Sequence, residues 1–359
     1  MNEIENVIKA YLPNEELISC APLGNGHINS TFLVTTERNQ YVLQKINTSI
    51  FKNVDGLMEN VQAVTHHIRD KARKEGINPA RATIHFIPAP DGNRYLHYGN
   101  DAYRLYKYID KAYTIEKMEN SEDFYQAGVA FGKFAKDLSD FDASVLVETI
   151  VNFHNTVSRY NDFEKAVSDN ISGRKDEALA EIEFVRARKD FTRMFVDRLN
   201  DGTLPVRVTH NDTKINNVLF DEETKLPSTV IDLDTVMPGS YLYDFGDAIR
   251  SGATHAAEDE PNLDLVDFDL GLYEAFAKGY LSMCKDSLTP VEIELLPYAS
   301  IMLTLECGMR FLGDHLNGDT YFKIHRKGHN LDRCRTQFKL VAEMEKNIDE
   351  MRKIIDKCL

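Results

Sequence analysis

The stretch Val206 to Asp234, VRVTHNDTKINNVLFDEETKLPSTVIDLD, constrains this chain more than any other. An apolar run, Leu204 to Thr209, reads as a strand that ends at His210-Asn211-Asp212. Asn217 follows five residues after Asp212. A second short strand, Val218 to Phe220, passes through an acidic turn into a third, Ser228 to Ile231, which ends at Asp232. This order puts Asp212, Asn217 and Asp232 at neighbouring strand ends. Two carboxylates and an amide so placed suit phosphoryl transfer. One group orients the attacking hydroxyl and accepts its proton, while two hold Mg²⁺ on the phosphates.

Composition narrows the partners. The 359 residues suffice for one large two-lobed domain or two ordinary ones, and 43% hydrophobic residues support an ordinary core. A formal net charge of −15 argues against nonspecific binding to nucleic acid or to anionic membranes. The five cysteines (Cys20, Cys284, Cys307, Cys334, Cys358) are scattered without a CxxC pair, so neither a disulfide framework nor a zinc site is indicated. No basic-then-apolar leader is read at the start, and no uninterrupted apolar run reaches bilayer length. The expectation is a reduced, cytoplasmic protein with no membrane, nucleic-acid or obligate protein partner.

Along the chain, Ile4, Val7, Ile8 and Tyr11 mark a short amphipathic helix over 2–12. Ser30 to Thr35 and Tyr41 to Ile46 read as a hairpin behind the turn Gly24-Asn25-Gly26-His27-Ile28-Asn29. Glycines there let backbone N–H groups approach phosphate oxygens; a plain turn carries the same letters. Val54, Leu57, Met58, Val61, Val64 and Ile68 repeat at helical spacing. Ala82 to Pro88, Arg94 to His97 and Tyr103 to Ile109 read as three further strands. Beyond them the pattern turns helical, with 150–200 expected as solvent-facing helices. Phe268 to Met283, Thr289 to Leu312 and Asn330 to Lys357 complete the helices.

His210, Asp212 and Asn217 keep the register of the kinase catalytic loop, with Asn211 where protein kinases carry Arg. Asp232 lies twenty residues past Asp212, about where kinases place the metal-binding Asp. In these features the chain resembles the aminoglycoside phosphotransferase-like small-molecule kinases, and within them the bacterial N-acetylhexosamine 1-kinases. The likeness runs from GNGHINSTFLV through FKNVDGLMENV, RVTHNDTKINNVL and IDLDTVMPGS to LECGMRFLGDHLNGD, nearly the whole chain.

The resemblance implies an α+β, protein-kinase-like two-lobed fold. A β-rich N-lobe would occupy 1–109 and a mainly helical C-lobe 110–359. It implies ATP and Mg²⁺ as cofactors and an N-acetylhexosamine as substrate, phosphorylated at its anomeric hydroxyl. Asp212 is then the general base, worth typically about 10²–10⁴ in rate, and Lys214 neutralises the moving phosphate. Asn217 and Asp232 are the metal ligands. Gly24 and Gly26 lie over the nucleotide, and Tyr108 and Ile109 belong to the hinge against which adenine rests. His27, Asn29, Arg310 and Tyr321 face the sugar. The lysine that contacts the α- and β-phosphates falls at Gln44, so either Gln44 replaces it or the strand presents Lys45. Glu59 is the candidate helix glutamate to pair with it. Tyr243-Asp244-Phe245-Gly246 carries kinase letters too far from Asp212 for the metal site, and Asp244 is expected to buttress the loop. Two alternatives stay open. The acceptor is another small alcohol (an aminoglycoside, choline or homoserine), or the chain is a nucleotide-binding regulator without turnover.

Overall fold

Apolar residues at helical spacing near the start form α1 (Glu3–Tyr11), which buries Val7, Ile8 and Tyr11. They pack on the sheet that follows. The computed structural model describes residues 3–24, 28–116, 118 and 120–359. They divide into two units. The first takes in Met1–Thr114, Asp140–Val151 and Leu219–Pro238; the second takes in Ile115–Ser139, Asn152–Val218 and Gly239–Leu359. Two later segments thus join the N-terminal sheet unit: 219–238 because its strand at Leu219–Asp221 pairs with Ala112–Thr114, and 140–151 because Asn60, His67 and Lys71 bond to Val147 and Asp140.

In the first unit, β1 (Leu17–Pro22), β2 (Ser30–Thr36) and β3 (Gln40–Ile46) are followed by α2 (Val54–Lys74) and the short α3 (Pro79–Ala82). Then come β4 (Phe86–Ile87), β5 (Leu96–Tyr98), β6 (Asp101–Lys107) and β7 (Ala112–Thr114). The main sheet is antiparallel, in the order β1-β2-β3-β6-β4, with β5 also on β6. Val34, Leu43, Tyr103 and Leu105 form its core with α1. Asn53 caps α2 by accepting from Gly56 N–H, and Lys71, Arg73 and Lys74 sit in the last turn, where the helix dipole favours cations. The run Ala82 to Pro88, expected as a strand, pairs only at Phe86–Ile87. Asn78 caps the preceding turn and Pro79 fixes a helical φ, so Ala82 ends a helix instead.

In the second unit, α4 (Ser121–Asp137), α5 (Thr156–Asp169), α6 (Leu179–Arg186) and α7 (Met194–Asn200) precede β8 (Arg207–Thr209). The chain then supplies β9 (Val218–Asp221) and β10 (Pro227–Val230), which form a small sheet in the order β10-β9-β7 within the first unit. After β11 (Met237–Gly239) come α8 (Tyr241–Gly252), α9 (Leu270–Cys284), α10 (Pro290–Asn317), α11 (His329–Lys346) and α12 (Ile348–Cys358). The stretch 150–200 is less solvated than its charges suggest. Phe163, Val167, Ile182, Val185 and Phe195 are all buried, and α5 packs on α10. The expected single helix Asn330 to Lys357 is two, separated at Asn347.

By length and apolarity α10 would cross a membrane, but 83% of its most apolar stretch is buried among the other helices, so it is a core helix. Thr289 and Glu292 form a reciprocal capping box at its start, and Gly318 ends it in the left-handed region. All five cysteines are free thiols.

The closest helix contact in the second unit is between α4 and α9. It depends on glycine, because backbone meets backbone there. A Cβ on Gly132 would stand 2.4 Å from Tyr280 O, and one on Gly279 would stand 2.1 Å from Tyr125 O. Since neither neighbour is a flexible side-chain tip, Gly132→Ala is expected to destabilise the protein by about 1–3 kcal/mol. Urea unfolding of the variant against wild type measures it; an unchanged midpoint would show that the two helices separate freely.

Candidate active site

In the second unit, β8 delivers the chain into His210-Asn211-Asp212. Asn211 adopts φ 65°, a left-handed conformation that Asn tolerates better than most residues. A turn of this kind directs backbone N–H groups away from any strand partner, so something else must accept them. Asp244, in the first turn of α8, does so. Its carboxylate accepts from His210 N–H at 2.9 Å and Asn211 N–H at 2.8 Å, and its carbonyl oxygen accepts from Thr213 Oγ1 at 2.6 Å. Burial pushes the Asp244 carboxyl up to about 6, against the pull of His210 and those two N–H groups. Asp247, one turn on, accepts from Thr213 N–H at 3.1 Å and pairs with Arg250. Burial opposes its charge, yet Arg250 and Lys214 hold its pKa below the usual carboxylate value. His210 is fully buried against the edges of the Phe131 and Phe134 rings, and its Nδ1 accepts from Asp212 N–H at 3.3 Å.

So anchored, the loop presents Asp212 with a partly exposed carboxylate. Its Oδ1 lies 2.9 Å from Lys214 Nζ. Its Oδ2 accepts from Asn217 Nδ2 at 3.0 Å, and the same amide nitrogen donates to Asp212 O at 2.9 Å. The nitrogen of Asn217 is thereby committed, which leaves its amide oxygen as the ligating atom. Burial works against the charge of Lys214, but the carboxylates of Asp212 and Asp247 outweigh it and raise its pKa. Beside the loop opens a cavity of about 790 Å³, bordered by Lys214, Asn216, Phe124, Ser251 and Thr254, with Glu116 and Asp269 also on its wall.

A second polar cluster lies in the same unit. Arg310, on α10, has its guanidinium 5.7 Å from the Phe153 ring, 5.9 Å from Tyr321 and 5.4 Å from Phe322. Among the described residues it makes no ion pair. The Tyr321 segment is pinned by buried Asp314, which accepts the N–H groups of Thr320, Tyr321 and Phe322 at 2.9 Å each. Glu306, one turn before Arg310, is buried and contacts His154 Nδ1 at 3.0 Å. Glu306 Oε2 and His154 Nε2 are both buried without a hydrogen-bond partner among the described residues. Arg159 lies near this cluster and donates to Phe153 O. Burial first, then Arg310, pushes its pKa down. His154, Arg159 and Glu306 were not singled out as site residues from sequence; an Arg and a Glu at i,i+4 on a helix are usually a surface pair.

In the first unit, β10 ends at Val230, and two residues later Asp232 adopts φ 57°. Two residues on, buried Asp234 meets a partner that sequence reasoning missed. Arg104 of β6 brings Nη2 to 2.5 Å from Asp234 Oδ1. The contact is close but poorly aligned, so Oδ1 lacks a well-directed donor. Asn29 Nδ2 donates to Asp234 Oδ2 at 2.5 Å, while Asn29 Oδ1 accepts from Asn47 N–H at 2.9 Å. Gln44, directly opposite Arg104 in the sheet, accepts from its Nε at 2.9 Å and donates to Thr31 Oγ1 at 3.1 Å. One sequence signal existed: a charged residue in the middle of an apolar strand, AYRLYKYI.

The two candidates for the strand cation therefore separate. Gln44 belongs to the Arg104 network. Lys45 is engaged elsewhere, with its ammonium 2.5 Å from Asp101 and 3.7 Å from Glu3. Glu59 does not pair with either; it meets Arg94 at 3.2 Å on the exposed side of α2. The Tyr108 N–H is bonded to Gln40 O at 3.1 Å, which continues the sheet past β6 toward Ile109. Gly24 turns with φ 70°; Gly26 and His27 lie outside the described residues.

Solved structures of other proteins share the fold. A microcompartment-associated aminopropanol kinase superposes with TM-score 0.57 at 16% identity, covering 97% of each chain. An aminoglycoside phosphotransferase from Alicyclobacillus acidocaldarius gives 0.58 at 13%, covering 98% of this chain and 96% of that one. A spectinomycin phosphotransferase, in complex with ADP and spectinomycin, gives 0.52 at 15%, covering 98% of both. These likenesses establish a kinase-like α+β fold with an antiparallel-sheet N-lobe and a helical C-lobe. The sequence model of the phosphotransferase enzyme family matches residues 19–280, which include every element of the catalytic loop described above. The chain belongs to the phosphotransferase enzyme family.

Proposed function

We propose that this phosphotransferase is an ATP-dependent kinase that phosphorylates the anomeric hydroxyl of an N-acetylhexosamine, N-acetylglucosamine or N-acetylgalactosamine. The observation that carries the class of reaction is the Asp212 carboxylate, held between Lys214 and Asn217 on a loop bonded to Asp244. The fold relative that contains ADP supports the nucleotide.

Asp212 would accept the hydrogen bond of the acceptor hydroxyl and take its proton as the oxygen attacks. The new bond joins that oxygen to the γ-phosphorus, and the bond from γ-phosphorus to the β–γ bridging oxygen breaks, releasing ADP. Lys214 neutralises Asp212 in the present arrangement. Its move to the incoming phosphate would free Oδ1 for the hydroxyl and offset the anionic charge being transferred. Asn217 and Asp232 would hold Mg²⁺. One amide oxygen and one carboxylate fit a hard cation that keeps waters and phosphate oxygens as its other ligands. When bound, Mg²⁺ supplies charge neutralisation on the phosphates. The remaining catalytic contribution is orientation of the two substrates.

The acceptor assignment rests on the cluster around Arg310. It offers a guanidinium without an acidic partner, framed by aromatic rings, beside the orphaned polar atoms of Glu306 and His154. A polyhydroxylated, uncharged acceptor with an amide carbonyl supplies the donors and acceptors that these groups lack. Gly24, Gly26, Tyr108 and Ile109 are proposed for the nucleotide, and His27, Asn29, Arg310 and Tyr321 for the sugar. Gln44 and Lys45, considered for the place of the phosphate-contacting lysine, are engaged with Arg104 and with Asp101 respectively. A second reading, a cationic amino alcohol as acceptor, is favoured by Glu116 and Asp269 on the wall of the cavity beside Lys214.

Coupled ADP release across N-acetylhexosamines, unsubstituted hexoses, aminoglycosides, choline and aminopropanol separates the two readings. Turnover confined to the amino alcohols would sink the sugar assignment. Asp212→Asn is expected to lower kcat by about 10²–10⁴, with binding of Mg²⁺–nucleotide by calorimetry within about twofold of wild type. Retention of most turnover would show that Asp212 is not the base. Arg310→Ala is expected to raise KM for the N-acetyl sugar by about tenfold, the loss of a hydrogen bond from a charged group, with KM for ATP unmoved. An unchanged sugar KM would remove Arg310 from the acceptor site.

A further inference from the structure

In the kinase pattern a strand lysine is held by a glutamate from the neighbouring helix, and the pair orients the nucleotide phosphates. Neither member stands in its expected place here. The strand position is Gln44, Lys45 is tied to Asp101, and Glu59 is on the outer face of α2 with Arg94. The inner face of α2 offers Met58 and Asn60 instead. Asn60 is buried and donates to Val147 O at 2.7 Å and to Val236 O at 2.9 Å.

What occupies the middle of the unit is Arg104. It is 3% exposed on a strand whose neighbours Tyr103 and Leu105 are fully buried. Its guanidinium touches four parts of the unit: Gln44 on β3, Met58 Sδ on α2 at 3.8 Å, the Phe86 ring on β4 at 5.7 Å, and Asp234. A buried guanidinium removed from its carboxylate, or the carboxylate from it, leaves an uncompensated charge in the interior, so the pair fixes the relative position of its two elements. One of them is the turn Leu233–Thr235, which begins at Asp232 in a left-handed conformation. Asp tolerates that conformation better than most residues, and contacts around the turn help to hold it. Asn29 attaches the same carboxylate to the backbone of Asn47.

We propose that Arg104 is a positioning residue. Its guanidinium, held by Gln44 and Asp234, fixes the Leu233–Thr235 turn and so aims the Asp232 carboxylate, taking over by a different route the task of the absent lysine–glutamate pair. This rests on the proposed role of Asp232 toward Mg²⁺–nucleotide. It adds that the carboxylate is aimed from β6, through Asp234, rather than from α2.

The test is calorimetric binding of a non-hydrolysable ATP analogue to the full chain at varied Mg²⁺, beside steady-state kinetics and a thermal scan. Arg104→Lys keeps the charge but loses the fork that reaches both partners. It is expected to raise the Mg²⁺ concentration for half-maximal nucleotide binding by about tenfold, as loss of an outer-shell partner of a metal ligand does, with kcat lowered and acceptor KM within about twofold. Asp234→Asn should shift it in the same direction. On an Asp232→Ala background Arg104→Lys should add nothing, because it acts through Asp232.

Wild-type Mg²⁺ dependence in folded Arg104→Lys overturns the inference, and so does an additive shift on the Asp232→Ala background. If Arg104→Lys does not fold, Gln44→Leu is read in its place. It removes one anchor and leaves the ion pair, and a wild-type value there overturns the inference equally. A wild-type chain that binds no Mg²⁺–nucleotide overturns the parent reading, and this inference falls with it. Binding by wild type with no change in the variants overturns this inference alone.

Discussion

The second unit depends on one buried carboxylate. Asp244 accepts two consecutive backbone N–H groups from a loop that has no strand partner for them. Without an acceptor, each of those donors would be buried unpaired at a cost of about 1–3 kcal/mol. The helix that carries Asp244 is fixed in turn. Ser240 caps it, nearly every residue from Tyr241 to Arg250 is buried, and Gly246 lets it approach α10 so closely that a Cβ would stand 2.4 Å from Ala299 O. The geometry of Asp212 therefore originates in helix packing some thirty residues further along the chain. The loop needs this external support because its own side chains reach only part of its backbone: Asn217 holds Asp212 O and His210 holds Asp212 N–H, while the N–H groups of His210 and Asn211 are left to Asp244.

The first unit solves a similar problem with a different donor. Asp234 lies two residues past left-handed Asp232 and, like Asp244, is buried. It is held by a guanidinium and an amide side chain instead of backbone N–H groups. The difference follows from the local backbone. Asp244 faces a peptide whose donors are free, whereas Asp234 faces a sheet whose backbone donors are spent on strand pairing. A side chain must then supply the hydrogen, and only a long, forked one on the central strand reaches across. A buried ion pair of this kind adds little net stability, since desolvation offsets most of the attraction. Its effect is to select one position for the turn.

Much of this was legible in the sequence, for a physical reason in each case. The His210, Asp212 and Asn217 spacing is set by a local turn, so it survives as a string of letters. The hairpin of β2 and β3, the helical stripe of α2 and the long helix from Pro290 follow from periodicity, which is also local. The spacing around Asp244 excludes it from the metal site, and its role as a buttress follows from the family resemblance. Arg104 could not be anticipated, because its partners lie 60 and 130 residues away and nothing local ties Arg104 to Asp234. Strand alternation put Gln44 and Lys45 on opposite faces but could not say which face looks inward. The stretch 150–200 misled for a compositional reason: its many charges mask five or more apolar residues that α10 covers. Glu59 was chosen for its letter, while the helix turns Asn60 inward.

The charges around the two polar regions bear on the acceptor. Burial first, and then the charge of Arg310, depresses the pKa of Arg159, and Glu306 beside them is engaged with His154 on one oxygen. An ammonium group brought to that cluster would be a third positive charge competing for one remaining carboxylate oxygen. An N-acetyl group brings a carbonyl that accepts from a guanidinium, and ring hydroxyls that donate to Glu306 Oε2, without adding charge. The cavity beside Lys214 carries two acids, Glu116 and Asp269, together with Lys214 and His255 on its wall. Within the proposed function, charge favours a neutral polyol over a cation at the Arg310 cluster. The two readings of the acceptor are, in physical terms, a choice between these two surfaces of the helical unit. The orphaned atoms tip that choice. Unpaired polar atoms buried at Glu306 and His154 are unfavourable unless a ligand completes them, whereas no such atom is found among the described residues lining the cavity.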